Sequence, residues 1–417
     1  MSFPKVLRVQ QNFDSTHITD IPTKVSEQIG KLGLSSRLKT GQTVAITAGS
    51  RGVANIAVII RAAVNELRQL GVRPFIIPAM GSHGGGTADG QRLVLEHYGI
   101  TEASLGAPIR ATMETTQIGE TPQGIPVFLD NYALEADHVV VVNRIKPHTD
   151  FDGDIESGLC KMMAIGLGKH TGAIHYHRAN IKHGYYTVIT NVARVVRQNC
   201  RILFGLGIVE NAYDETAAIE AMLTPEIEAS EKRLLAIAKA NLARIPFDQA
   251  DVLVVDEMGK NISGAGMDTN VIGRNVSQRE RPPIKPSFTR IFVRDLSAES
   301  YGNAVGIGLA DLVTRRLVNK IDYTPTYINA ITSTNVEAAR VPVTFDTDRE
   351  AIETAFSTCG SSVEACRMIW IKNTLKLDQF IMTEALMDEI GSKPHLKVLE
   401  RLGELPFDGK GNLPSLL

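Results

Sequence analysis

The sequence holds ten histidines, and five of them, His148, His170, His175, His177 and His183, fall between residues 148 and 183. Asp150, Asp152, Asp154, Glu156, Lys161 and Lys169 share that stretch. Imidazole is the commonest acid–base group near neutral pH and the commonest metal ligand, so this segment can move protons or hold a metal. His175-Tyr176-His177 would put two imidazoles on one face if the segment were extended. His170 and His183 read as capping or exposed residues, His175 stays open, and His148 and His177 are the functional candidates. Three further loops carry chemistry. They are Ala48-Gly49-Ser50-Arg51-Gly52, Gly81-Ser82-His83-Gly84-Gly85-Gly86 and Asp256-Glu257-Met258-Gly259-Lys260-Asn261-Ile262-Ser263-Gly264. Arg51 either makes a surface ion pair or binds a carboxylate. His83, flanked by four glycines, has little packing to do there. The turn around Lys260 is a plain tight turn or an anion cradle. Neither GxxxxGK[ST] nor GxGxxG occurs in context, so no named nucleotide follows from the glycines.

These loops need strands behind them. Val44–Thr47, Pro74–Pro78, Val139–Val142 and Ile202–Gly207 read as short buried strands. They alternate with helical periods over 53–70, from Thr87 to about His97, and over 187–197. Alternation predicts a mainly parallel, doubly wound sheet, with ligands outside the carboxyl ends of its strands. There Arg51, His83 and His148 would point into one crevice. Thr224-Pro225 opens a long helix that Pro246 stops. The domain boundary is placed there, giving an N-terminal α/β domain over 1–247 and a C-terminal α/β domain over 248–417. The last residues are allowed to return to the first domain. In the second half Asp251–Val255, Ile291–Val293 and Phe380–Met382 read as strands, with Tyr327–Ile331 and Pro342–Phe345 as weaker ones. Helices are expected over 304–321 and 351–358, and Arg281-Pro282-Pro283-Ile284-Lys285-Pro286 reads as a rigid connector. Trp370, between two isoleucines, reads as a buried strand or helix residue rather than a pocket wall.

The 417 residues suffice for two or three domains, each with its own core. Lys+Arg number 44 against 46 Asp+Glu, a net charge of −2, which leaves no basic surplus for nucleic acid. No apolar run reaches the ~18 residues of a membrane span, and the start lacks a signal-peptide h-region. The four cysteines form no CxxC pair, which argues against a disulfide scaffold or a Cys-rich zinc site. The expectation is a cytoplasmic α/β enzyme with a small-molecule substrate, and a homo-oligomer is allowed.

Ser50-Arg51, Gly81-Ser82-His83, His148, Ser157-Gly158-Leu159-Cys160-Lys161 and His177 follow one another in an order and spacing that resembles the nickel-dependent lactate racemase family. The resemblance covers about the first 180 residues, and the later half fits only in outline. It implies two α/β domains with the active site in the cleft between them. It also implies a nickel-pincer nucleotide, pyridinium-3-thioamide-5-thiocarboxylic acid mononucleotide nickel. Lys161 matches the lysine that ties this cofactor covalently through a thioamide, and His177 the histidine that completes the nickel coordination. His83 and His148 match the pair of acid–base histidines, and Arg51 the arginine that binds the substrate carboxylate. Ser50, Gly84 and Gly85 are assigned to the cofactor and Lys260 to the substrate, the last without a secure match. Cofactor-building enzymes are implied as partners.

Three departures touch the substrate pocket. Gly52 stands in place of a proline, Ala48 in place of an aspartate, and the stretch 148–157 is longer by three residues and acidic. A racemase or epimerase of a 2-hydroxy acid other than lactate is therefore the expected activity. Two alternatives use the same residues. One is a zinc- or iron-dependent hydrolase or lyase with His148, His175 and His177 as ligands and Asp152 or Glu156 as base. The other is a non-catalytic binder of carboxylic acids.

Overall fold

The computed structural model describes residues 3–50, 52–275, 285–415 and 417. Arg51 and residues 281–284 of the expected connector lie outside the described residues. The protein is α/β and divides into two compact units. One is continuous, 15–242, and the other joins 1–14 to 243–417. The expected grouping of 1–247 differs at its start. Strand β1 (Lys5–Gln11) buries Val6, Leu7 and Val9 and pairs with strands near the C-terminus rather than with the sheet that follows it.

The unit 15–242 is built on β2 (Thr43–Ala48), β3 (Arg73–Pro78), β6 (His138–Arg144), β7 (Ile202–Glu210) and β8 (Thr216–Leu223). The hairpin β4 (Thr115–Glu120) and β5 (Pro126–Asp130) forms a separate two-stranded sheet. The main sheet runs β3-β2-β6-β7-β8, with β8 antiparallel and the other four parallel. Alternate residues of each strand feed opposite cores, as period-two geometry requires. Val44, Ile46, Ile76, Val140 and Val142 pack with the helices Ile21–Gly30 and Ile56–Gln69. Ala45, Phe75, Ile77, Val139 and Val141 pack with the helices Tyr185–Asn199 and Ile227–Ala240. The sheet is thus doubly wound. Its order reverses between β2 and β6, so the loops after those two strands flank the switch point where such folds bind ligands.

The other unit carries β9 (Gln249–Met258), β10 (Ser287–Leu296), β11 (Leu312–Thr314), β12 (Val343–Phe345), β13 (Met368–Ile371), β14 (Gln379–Thr383) and β15 (Leu396–Glu404). Its eight strands lie in the order β12-β11-β10-β9-β13-β14-β1-β15, parallel from β12 to β13 and antiparallel beyond. Trp370 sits in β13, fully buried, and donates from its indole to Asp256 Oδ1 at 2.6 Å. Two expectations fail here. Residues 323–332 form a helix, because Asp322 caps its start with a side chain that accepts from Thr324 N. Residues 304–321 are broken into a 3-10 turn, β11 and the short helix Arg315–Val318. Gly306 enters that break at φ 98°, where a Cβ would lie 1.7 Å from the Ala265 carbonyl oxygen. All four cysteines are buried, unbridged thiols. No helix among the described residues is long and apolar enough to cross a membrane.

Candidate active site

The histidine-rich segment folds as two helical arms with an elbow. The first arm opens at Leu159–Lys161 and passes through a π-helical stretch, Met162–Gly166, of the kind that recurs at functional sites. The helix Leu167–His183 follows and contains one residue with non-helical dihedrals, Lys169, at φ 55° and ψ −157°. Lys161 lies eight residues before that elbow and His177 eight after it. Folding back at Lys169 brings the Lys161 ammonium within electrostatic reach of the His177 ring. Burial, reinforced by that ammonium, lowers the His177 pKa to about 4. His177 is therefore neutral at pH 7, and its Nδ1 is buried with no hydrogen-bond partner. Lys161 Nζ donates to Ser157 Oγ at 3.3 Å.

The elbow is held by buried charge. Lys169 is fully buried, and its ammonium donates to the Pro78 carbonyl at 2.6 Å and to Gln91 Oε1 at 2.5 Å, with Asp130 Oδ2 3.6 Å away. Burial lowers the Lys169 pKa and raises that of Asp130. Gln91 turns its amide on the loop after β3, donating to the carbonyls of Met80 at 2.9 Å and Gly81 at 3.0 Å, with His83 at 3.5 Å. The loop bearing His83 is thereby pinned to the same elbow. Gly81 packs at Ala173 and Gly86 at His170. Gly84 is closed against Gly90, where a Cβ would lie 2.3 Å from the Gly90 carbonyl carbon, while Gly85 has open space around it.

His148 ends the loop after β6 and is buried. Its backbone N–H donates to Glu156 Oε2 at 2.6 Å, and the other Glu156 oxygen accepts from Gly153 N at 3.0 Å and meets Lys239 at 2.5 Å. The fully buried Glu156 is thus a structural clamp on the acidic loop and not a base exposed to substrate. The His148 ring lies tilted against Phe151 at 4.5 Å and 5.7 Å from Tyr185, which in turn sits edge-on to His177 at 6.1 Å. Asp150 N donates to His148 Nδ1 at 3.0 Å, and the Asp150 carboxylate lies 3.8 Å from the same nitrogen. Asn143 fixes the base of this loop by donating to the Gly158 carbonyl at 2.8 Å. The loop after β2 reaches the same place, since a Cβ on Gly49 would lie 3.0 Å from the Met162 methyl. Ser50 is half-buried and accepts from the Tyr98 hydroxyl through its carbonyl at 3.4 Å.

With that geometry in view, residues 5–187 match the family model described as the lactate racemase N-terminal domain. A solved lactate racemase apoprotein from Thermoanaerobacterium thermosaccharolyticum aligns over 94% of this chain and 96% of its own, at 13% identity and a TM-score of 0.49. No curated protein matches the chain.

Within residues 5–187, His148 and His177 both lie near Tyr185, Lys161 lies within electrostatic reach of His177, and the loops of Ser50 and His83 pack on the same helical layer. Lys260 belongs to the other unit, where its ammonium donates to the Gly264 carbonyl at 2.7 Å and closes its own turn. His175 does not join His177. The segment is helical, so residues two apart diverge, and His175 is exposed with Nδ1 2.9 Å from the Thr171 carbonyl. The three-histidine zinc or iron site is therefore overturned. Among the described residues the grouping suited to a metal ion is Asp251, Cys359 and Cys366, in the other unit. Tyr185, Lys169, Gln91 and Asp130 were not legible as site residues. Their roles come from tertiary contacts, and only the Gly184-Tyr185-Tyr186 break in a helical run hinted at one of them.

Proposed function

We propose that the protein interconverts the stereoisomers of a 2-hydroxy acid, as a racemase or a sugar-acid epimerase, by moving hydride and proton separately. The observation that carries this reading is the pairing of Lys161 with a neutral His177 across the Lys169 elbow, inside a lactate racemase N-terminal domain. The α-hydrogen of a 2-hydroxy carboxylate is far too weakly acidic for an imidazole base. Removing it as hydride is easier, because the hydroxyl gives up its proton as the ketone forms.

A nickel-pincer nucleotide needs an amine for attachment and a neutral imidazole for the metal, and the residues present fit it. The buried, unpartnered His177 nitrogen is the donor such a metal requires. Lys161 would hold the group covalently, His177 would ligate its nickel, and Ser50, Gly84 and Gly85 lie on the loops assigned to its nucleotide. When bound, the group supplies a hydride acceptor that no side chain can provide.

The chain's own residues do the rest. His148 exchanges a proton with the substrate hydroxyl. Asp150 supports both of its tautomers, the backbone N–H when Nδ1 accepts and the carboxylate when Nδ1 carries the proton. His83 does the same for the opposite enantiomer from the loop pinned by Gln91. Two bases are needed because the flat 2-keto acid takes its hydride back on either face of the carbon, and its oxygen must regain a proton from a different side in each case. Arg51 is assigned to hold the carboxylate bidentately as a pivot. Ala48, Gly52 and the acidic 148–157 loop favour a substrate other than lactate.

The test is protein made alongside the cofactor-building enzymes on which this reading depends. Intact mass should show an adduct that Lys161→Ala abolishes, and elemental analysis should find nickel. A panel of 2-hydroxy acids followed by chiral chromatography should reveal the substrate. His83→Ala and His148→Ala should each stop interconversion while keeping nickel. A 2-deuterated substrate should keep its label. Wash-out of deuterium into solvent, or loss of nickel from both histidine variants, would sink the scheme.

A further inference from the structure

The helix Tyr323–Thr332 is inverted. It turns Thr326 and Ala330 inward, onto a small cluster with Val305 and Ala338, and leaves its large apolar residues outside. Tyr323 (43% exposed), Tyr327 (48%) and Ile331 (66%) follow at four-residue spacing, so they form one stripe, and Ile328 (54%) stands beside it. The next turn, Val336–Ala339, packs against this helix and adds Val336 (55%), and the chain continues through exposed Val341 and Val343. Not one Asp, Glu, Lys or Arg occurs from Tyr323 to Val336. The exposed parts of these seven residues amount to roughly 650 Å², above the ~300–600 Å² of the largest patch on a typical monomer and approaching the ~800 Å² per partner of a standard interface.

We propose that this face is the contact between two copies of the chain, helix against helix about a two-fold axis. The charge pattern favours a second copy over another partner. The centre is uncharged and rich in tyrosine, as interface cores are. The rim carries both signs, Glu337 with Arg340 at one end and Asp322 with Lys320 at the other, so the face complements itself. A partner of one dominant charge would find no matching field. Sheet extension is not the mode, because the neighbouring edge strand β12 has only three residues and follows Pro342. The inference is independent of the proposed reaction.

Sedimentation equilibrium of the full chain at micromolar concentration should give twice the chain's mass. Ile331→Glu and Ile328→Lys should each weaken the dimer at least tenfold. Both positions are more than half exposed, so far-UV circular dichroism should be unchanged. Leu93→Glu, at an exposed apolar residue of the other unit, should leave the dimer intact. A monomeric wild type, or a dimer that both patch variants leave untouched, overturns the proposal. So does a dimer that Leu93→Glu dissociates equally.

Discussion

At His177 burial and the Lys161 ammonium both oppose protonation, and the pKa falls to about 4 from an ordinary value of 6.5. Glu231, also buried, moves the other way. Its carboxyl is raised from 4.5 to about 7 by burial, although it accepts from Cys160 N at 2.9 Å. The two groups have opposite effects on stability. As pH falls from 6.5 to 4, an unfolded chain protonates His177 and the folded one resists, so folding loses up to about 3 kcal/mol. As pH rises from 4.5 through 7, the unfolded chain ionises Glu231 and the folded one resists, so folding loses a similar amount. In the wild-type protein the two slopes largely offset each other between pH 5 and 6.5. Against that baseline His177→Gln should gain stability as pH is lowered, and Glu231→Gln should gain it as pH is raised through 7. Urea unfolding at pH 5 and pH 8 reads both. Parallel, pH-independent offsets would show that neither group is titrating as its burial requires. The residues proposed for the site, Lys161, His148 and His177, were picked out by their types, which the sequence displays directly. Glu231 was not, because its contact with Cys160 spans 71 residues and carries no local pattern.

At the scale of elements, the elbow explains why sixteen residues separate Lys161 from His177. In one straight helix that spacing would put them ~24 Å apart along the axis. Eight residues out and eight back bring their side chains within electrostatic reach of each other. The turn uses a lysine in a backbone region that side chains rarely adopt, a strained choice that the surrounding contacts must over-determine. Two glycines close the fold, since a Cβ on Gly168 or Gly172 would lie 2.9 or 2.7 Å from the Tyr176 ring. Lys169→Met keeps bulk but strands Asp130 in the core and releases Gln91. It should cost about 3–5 kcal/mol, as breaking a buried ion pair does. Adding Asp130→Asn keeps the cap on Ala133 and should return at least about 1 kcal/mol, since the orphaned charge is gone. A double-mutant cycle by denaturant unfolding measures this, and strict additivity would deny the coupling. No periodicity reveals such an elbow. The helix Tyr323–Thr332 departs from the expected strand for a related reason. Its outward apolar stripe mimics a strand, and only the Asp322 cap marks its start.

At the scale of the molecule, strand–helix alternation correctly specified a parallel, doubly wound sheet, because both faces of each strand are apolar and must be covered. It could not place β1, whose partners lie more than 360 residues further along the chain. Val6, Leu7 and Val9 are fully buried there, and the strand lies between β14 and β15. Without it β15 would lose the one sheet neighbour it has among the described residues and several core contacts at once. The unit 15–242 has no such dependence, since its sheet and the cores on both its faces come from continuous sequence. A fragment of residues 15–242 should therefore unfold in one cooperative transition by circular dichroism. A fragment of residues 243–417 should lack that transition until residues 1–14 are joined to it through a flexible linker after Leu417. Such a linker is geometrically reasonable because β1 and β15 are adjacent antiparallel strands. If 243–417 folds as well alone as with residues 1–14 attached, β1 is an accessory to that sheet and not a part of its framework.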